Sequence, residues 1–192
     1  LPNKLKKLMQ YSPVEEDWLY RSPYFFFRTI ASLIKLEPDL KEKLQFVHIG
    51  KKPHWMDEMV RKFNLQENVS YTGMLHFNEV NEKLSHSDLL LSTSVKIKGG
   101  KDYALASKTF DYIAQKKVVI GFVKPGAQSS FITNSKTGIV IDPDNISMAV
   151  EKMKEILYNG LTLEPDISLL NNYQRKDTAK KLSEIINFNI SE

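Results

Sequence analysis

The sequence has no cysteine, which excludes a disulfide framework, thiolate zinc sites and a cysteine nucleophile. Long apolar runs are also missing. The longest, such as Val118 to Val123, extend over about six residues, whereas a bilayer span needs about twenty. No apolar signal core follows the first residue, Leu1, which is not methionine, so an excised or processed fragment with something upstream is expected. Glycine is scarce for a phosphate-loop protein. The eight glycines never give G-x-G-x-x-G, and Gly100-Lys101 sits in no Walker A loop, because position 95 is valine and position 102 aspartate. There is no G-x-S-x-G elbow and no H-E-x-x-H, and His48, His54, His76 and His86 lack ligand spacing, so no metal is expected. Charge of one sign is nearly balanced: 27 Lys and Arg face 23 Asp and Glu, a net +4 with a pI near 9.0. The lysines are dispersed (Lys4, Lys6, Lys7; Lys96, Lys98, Lys101; Lys116, Lys117) rather than interleaved with aromatics in a stripe, so nucleic acid is not expected as a partner.

What is present is a chain of 192 residues, 42% hydrophobic. At roughly 150 residues per domain this is one domain or two small ones. A chain of this size buries about 70% of its unfolded surface and needs no staple. From residue 20 onward the pattern alternates. Ser22-Pro23 opens a helix bearing Phe26, Phe27, Ile30, Leu33 and Ile34, and Pro38 closes it. Gln45 to Ile49 reads as a buried strand ending at Gly50, and Pro53 begins a helix with Met56, Met59, Val60 and Phe63 on one face. Asn68 to Thr72 is extended and ends at Gly73; Asn78 is expected to cap a short helix carrying Val80 and Leu84. Asp88 to Leu91 reads as a strand, with Ser92, Thr93 and Ser94 leading into an irregular loop that runs to Ala106 and contains Gly99-Gly100.

Ser107 to Lys116 then reads as helix with Phe110, Ile113 and Ala114 inward, and Val118 to Val123 as a strand. Ser129 to Asn134 is expected as a short helix and Gly138 to Ile141 as a strand. An amphipathic helix from Ile146 stops at Asn159-Gly160, and a linker with Pro165 precedes a last helix carrying Ala179, Leu182, Ile185 and Ile186. Short strands apolar on both faces and separated by helices predict a doubly wound α/β fold, a parallel sheet with helices on both sides. Ligands bind such sheets beyond the strands' carboxyl ends, here the loops after residues 50, 73, 92 and 123.

The segment Ser107-Lys108-Thr109-Phe110-Asp111 is the one candidate site that survives. Lys108 and Asp111 lie three apart and share a helix face, so a cation faces where phosphate could sit and a carboxylate faces where ribose hydroxyls could sit. Spacing alone favours an ordinary surface ion pair contributing at most about 0.5 kcal/mol.

The run S-K-T-F-D-Y-I-A-x-K-K-V-V-I resembles the nucleotide-sugar site, P/S-K-x-x-E-Y-x-A-x-G-K-P-V-I, of retaining GT-B glycosyltransferases of the family-four type. Similar motifs follow in order over residues 21 to 187: Arg21-Ser22-Pro23; Val69-Ser70-Tyr71-Thr72-Gly73; Ser87-Asp88-Leu89-Leu90-Leu91; Lys136 to Asp144; and Tyr173-Gln174-Arg175. The resemblance implies a Rossmann-like donor-binding domain over 21–160. It also implies a degenerate first-strand region over 1–20, and a linker and C-terminal helix packing back over 161–192. The chain would be the C-terminal half of a two-domain transferase, inactive without its N-terminal acceptor domain.

The donor substrate would be a nucleoside diphosphate sugar, with no cofactor and no metal, and the acceptor a polysaccharide or glycolipid. The enzyme would work in the cytoplasm, with peripheral association at the inner membrane face as a further option. Asp111 takes the place of the ribose-binding glutamate. Lys108 with Ser107 and Ala106 lies near the diphosphate, Arg21 approaches the same phosphates, and Gly73 and Met74 fall where the base is contacted. The family's acidic residue near the sugar falls at Tyr103, one place out of register with Asp102. Either Asp102 is presented through a shift of the loop, or Tyr103 packs against the sheet. In the first strand, Tyr11-Ser12-Pro13 carries proline where the family has glycine. A GT-B epimerase or phosphorylase and a non-catalytic nucleotide-binding or scaffold domain are the alternatives.

Overall fold

The computed structural model describes residues 14–190, so Tyr11-Ser12-Pro13 and the Lys4, Lys6 and Lys7 group lie outside the described residues. The fold is α/β, with parallel sheets covered by helices on both faces. Strands β4 (Leu89–Thr93), β6 (Val118–Phe122) and β7 (Gly138–Ile141) form a parallel sheet in the order β4-β6-β7. Strands β2 (Phe46–Ile49) and β3 (Val69–Gly73) form a second parallel pair. The helices between and after them are α1 (Tyr24–Leu36), α2 (Met56–Lys62), α3 (Phe77–Ser85), α4 (Lys108–Ala114), α5 (Ala127–Asn134), α6 (Ile146–Asn159), α7 (Ile167–Asn171) and α8 (Arg175–Ile190).

Strand periodicity assigns the two faces. Successive β residues point to opposite sides of a sheet. Ile120 and Phe122 of β6 enter the large core with Phe27, Ile30 and Leu33 of α1 and Ala149, Met153 and Ile156 of α6. Gly121 points the other way, and a Cβ there would stand 2.8 Å from Ile132 Cδ1 of α5. Its register partner Ser92 faces the same side, toward Thr109 of α4. Helices α1 and α6 therefore cover one face, and α4 and α5 the other. Phe26 bridges the two parallel units, with ring centroids 5.8 Å from Phe46 of β2 and 5.6 Å from Phe122 of β6.

Several local expectations are corrected. β4 runs on through Ser92 and Thr93, whose hydroxyls are buried and used. The loop from 94 to 106 is not wholly irregular: β5 (Lys96–Ile97) pairs antiparallel with β1 (Glu16–Asp17), in the region expected to hold only a degenerate strand. Helix α3 starts after His76, whose amide donates to Glu79 Oε2 at 2.8 Å, so Asn78 is inside the helix and is not its cap. In α4 the fully buried residue is Thr109, while Ala114 is exposed. Helix α5 begins at Ala127, two residues before the expected start. The segment around Pro165 continues into α7 rather than remaining a linker as far as the last helix. Val47 in β2 is 42% exposed, so that strand is half-buried.

The turn before α6 is tied down electrostatically. Asp144 accepts from Tyr20 Oη and from Lys96 Nζ at 3.0 Å, and pairs with Lys124 Nζ at 3.1 Å. Burial pushes the Asp144 carboxyl up, but these three donors outweigh it and hold its pKa at about 2. Asn145 caps α6 by accepting from Met148 N at 3.1 Å. The C-terminal segment packs back on the α4–α5 face. Asp166 N donates to Ser135 O at 2.9 Å, and the Tyr173 ring lies 4.9 Å from Phe131 and 5.9 Å from Phe110.

Candidate functional site

The carboxyl ends of the parallel strands carry two groups of predicted residues. At β3, Gly73 (φ 72°) and neighbouring Gly50 (φ 118°) are held together by Gly50 N donating to Gly73 O at 2.8 Å. Both conformations suit glycine, and a Cβ at either position would meet nothing within 4 Å, so this lip is open. Met74 follows at 79% exposure, with Phe77 also exposed at the start of α3.

At the ends of β4 and β6 lies the cationic group. Arg21 ends a 3₁₀ turn (Trp18–Arg21), and its guanidinium stacks 5.2 Å from the Trp18 ring centroid. Its carbonyl accepts from the buried Thr93 hydroxyl at 2.8 Å. Lys108 opens α4 close to Arg21. Protein crowds its ammonium although it still meets solvent, and this desolvation lowers its pKa; the Arg21 charge lowers it further. Neither cation has an ion-pair partner among the described residues. Two positive charges held together without a carboxylate make a site that favours an anion. Asp111, one turn along α4, is exposed; burial, with a smaller push from the Asp111 charge, raises the Tyr112 phenol to about 12.

The remaining predicted residues divide. Ser107 is exposed before α4, and its carbonyl accepts from Phe110 N at 3.1 Å. The Ala106 amide is not open to a ligand, because it donates to Gln128 Oε1 at 2.8 Å. Asp102 is 5% exposed and turned inward: its carboxylate accepts from the Ser94 hydroxyl and from Ala104 N at 3.0 Å. Its carbonyl takes the Ala127 amide at 2.6 Å. Tyr103 is 70% exposed and does not pack on the sheet. Neither expectation for this loop matches the structure: the carboxylate is inside and the phenol outside. The structure thus brings Lys108 beside Arg21, with Ser107 next to it in sequence and Asp111 exposed one turn along the same helix, leaves Gly73 and Met74 at the end of β3, and withdraws Asp102 and the Ala106 amide.

The sequence reading missed three supporting residues, Thr93, Thr109 and Gln128. Their one visible signal is polarity where the pattern requires core, as in the triplet Ser92-Thr93-Ser94 at a strand end. Among the described residues no group of three His, Asp or Glu side chains is placed to hold a metal.

The family model described as "Glycosyl transferases group 1" matches residues 27–177. No curated protein sequence matches the chain. Among solved structures, the pneumococcal O-GlcNAc transferase GtfA in complex with UDP and GlcNAc is similar with a TM-score of 0.62 at 16% identity, over 91% of this chain and 34% of that one. WaaG, a glycosyltransferase involved in lipopolysaccharide biosynthesis, gives 0.58 at 19% identity over 74% of this chain and 36% of its own. Anabaena Alr3699/HepE in complex with UDP gives 0.55 at 12% identity over 78% and 38%. The chain thus spans little more than a third of the length of these structures.

Proposed function

As the chain belongs to the group 1 glycosyl transferases, we propose that it supplies the half of a glycosyltransferase that holds a nucleoside diphosphate sugar. The observation that carries this reading is the pair Lys108 and Arg21, adjacent cations at the carboxyl edge of the sheet with no carboxylate partner among the described residues. A diphosphate placed there meets charge that no carboxylate among the described residues pairs with. When the glycosidic bond to the leaving diphosphate breaks, negative charge grows on the phosphate oxygens. Preorganised cations that meet this charge stabilise the transition state more than the ground state. We assign Asp111 to the ribose hydroxyls, Ser107 to the phosphates, and Gly73 and Met74 to the base. On this reading the reaction needs no metal and retains configuration at the sugar. The acceptor, a polysaccharide or glycolipid, is bound by a second half outside this chain, in an enzyme working at the cytoplasmic side of a membrane.

Titration of the chain with UDP, GDP and ADP tests the reading. At least one should bind, and Lys108→Ala should weaken that binding by about 1.5–3 kcal/mol, the range for a hydrogen bond to a charged group. Asp111→Ala should cost about 1–3 kcal/mol, the penalty for leaving polar groups unpaired. Unchanged affinity in both variants would remove the donor site from these residues. A second reading, a non-catalytic nucleotide-binding domain, is favoured by one observation: the loop between β4 and α4 turns its only carboxylate, Asp102, away from solvent.

A further inference from the structure

The second residue of helix α5, Gln128, has a polar side chain where the packing calls for an apolar one. Gln128 has no solvent exposure, yet both ends of its amide are satisfied. Its oxygen accepts from Ala106 N at 2.8 Å, and its nitrogen donates to Thr109 Oγ1 at 2.9 Å, with Ser92 Oγ a further 3.4 Å from that hydroxyl. The orientation is fixed by chemistry, because a backbone N–H can only donate and so must face the amide oxygen. Ala106 is also held from its other side, its carbonyl accepting from Thr109 N at 2.9 Å. The residue two places before Lys108 is therefore clamped at both its polar atoms, and one side chain from a different helix reaches both partners of the clamp. A buried amide left with an unmatched group costs more than an apolar residue of its size. Gln128 adds nothing here that a methionine would not supply to packing; what it adds is the position of the turn leading into α4.

Resting on the donor-site reading above, we propose that Gln128 is a positioning residue: it acts through the Ala106 backbone to hold Lys108 beside Arg21. Its effect on ligand affinity passes through Lys108, not through any contact of its own.

The test is a double-mutant cycle on the chain, read by calorimetry with whichever of UDP, GDP and ADP binds tightest. Gln128→Met keeps side-chain volume and removes the acceptor of the Ala106 amide. It should weaken binding about five- to tenfold, the worth of one net hydrogen bond. In the Lys108→Ala background the same substitution should cost less than about twofold, because the group it positions is gone. Thr109→Val leaves the Ala106 contact but frees the other end of the glutamine. It should cost about two- to threefold in the Lys108 chain and nothing in the Lys108→Ala chain, and it serves if Gln128→Met does not fold. Amide exchange of Ala106 should quicken in Gln128→Met while that of the β6 core stays unchanged. Equal losses in both backgrounds, or a lowered melting temperature with unchanged affinity, would overturn the positioning role and leave Gln128 as structural. If none of the three nucleotides bound the unaltered chain, the donor-site reading would fall and this inference with it; the exchange arm would still report whether Gln128 holds the turn.

Discussion

Asp144 is the carboxylate on which the 3₁₀ turn, β5 and the strand-end Lys124 converge. Its pKa is held at about 2, below the ordinary value near 3.9, so the folded state gains stability from it above pH 4. That stability is lost as pH falls through about 4 to 2. With the side chain 39% exposed, solvent screening limits the contribution to about 1 kcal/mol. Urea titrations at pH 6 and pH 3 should show the unaltered chain losing about 0.5 kcal/mol more than Asp144→Asn, since pH 3 lies midway through that range; equal losses in the two proteins would contradict it. At this scale the sequence was only partly legible. Lys108, Asp111 and Arg21 could be picked out because spacing and motif both mark them. Gln128 and Thr93 could not, because their partners are backbone atoms of residues 22 and 72 positions away, and no periodicity encodes such a contact. Asp102 was misjudged because its inward partners, the Ser94 hydroxyl eight positions back and the Ala127 amide on α5, leave no mark in any periodicity.

Elements were easier to read, because an apolar period of 2 or 3.6 is a local property. Every long helix and every strand of the two parallel sheets was foreseen, with ends moved by one to three residues, the most at the helix expected from Pro53, which starts at Met56. The pair β1–β5 was not, since two-residue strands carry no period and are fixed only by meeting each other. Two substitutions test the elements next to the site. Asn145→Ala removes the α6 cap and should cost about 1 kcal/mol, lowering the melting temperature by roughly 2–4 °C for a chain of this size. Gly126→Ala should do more damage. Its Cβ would stand 2.5 Å from Asp102 O and 2.8 Å from Asp102 N, backbone atoms that cannot rotate away. The expected loss is about 1–3 kcal/mol by denaturant titration, with the turn before Tyr103 displaced.

At the scale of the whole molecule, the lip at the ends of β2 and β3 carries open glycines and exposed Met74, and the lip at the end of β4 carries the cations. Ligand affinity should therefore split by chemistry. Raising salt from about 50 to 300 mM should weaken diphosphate binding while leaving any nucleoside binding nearly unchanged, since only the cationic lip is screened. Transfer to an acceptor should be absent from the 192-residue chain and present in a longer protein that contains a second α/β half. Turnover by the chain alone, above donor hydrolysis, would show that the reading of it as one half is wrong.

The lowered pKa of Lys108 has a chemical corollary. An amine that gives up its proton early spends more of its time as a nucleophile, and this one remains within reach of solvent. Trace acylation near neutral pH should mark Lys108 ahead of the ion-paired Lys96 and Lys124, whose carboxylate and phenol partners keep them protonated. With no thiol in the chain to compete for the reagent, peptide mass spectrometry would read the order of labelling directly. A bound diphosphate should shield that one amine and slow its modification selectively.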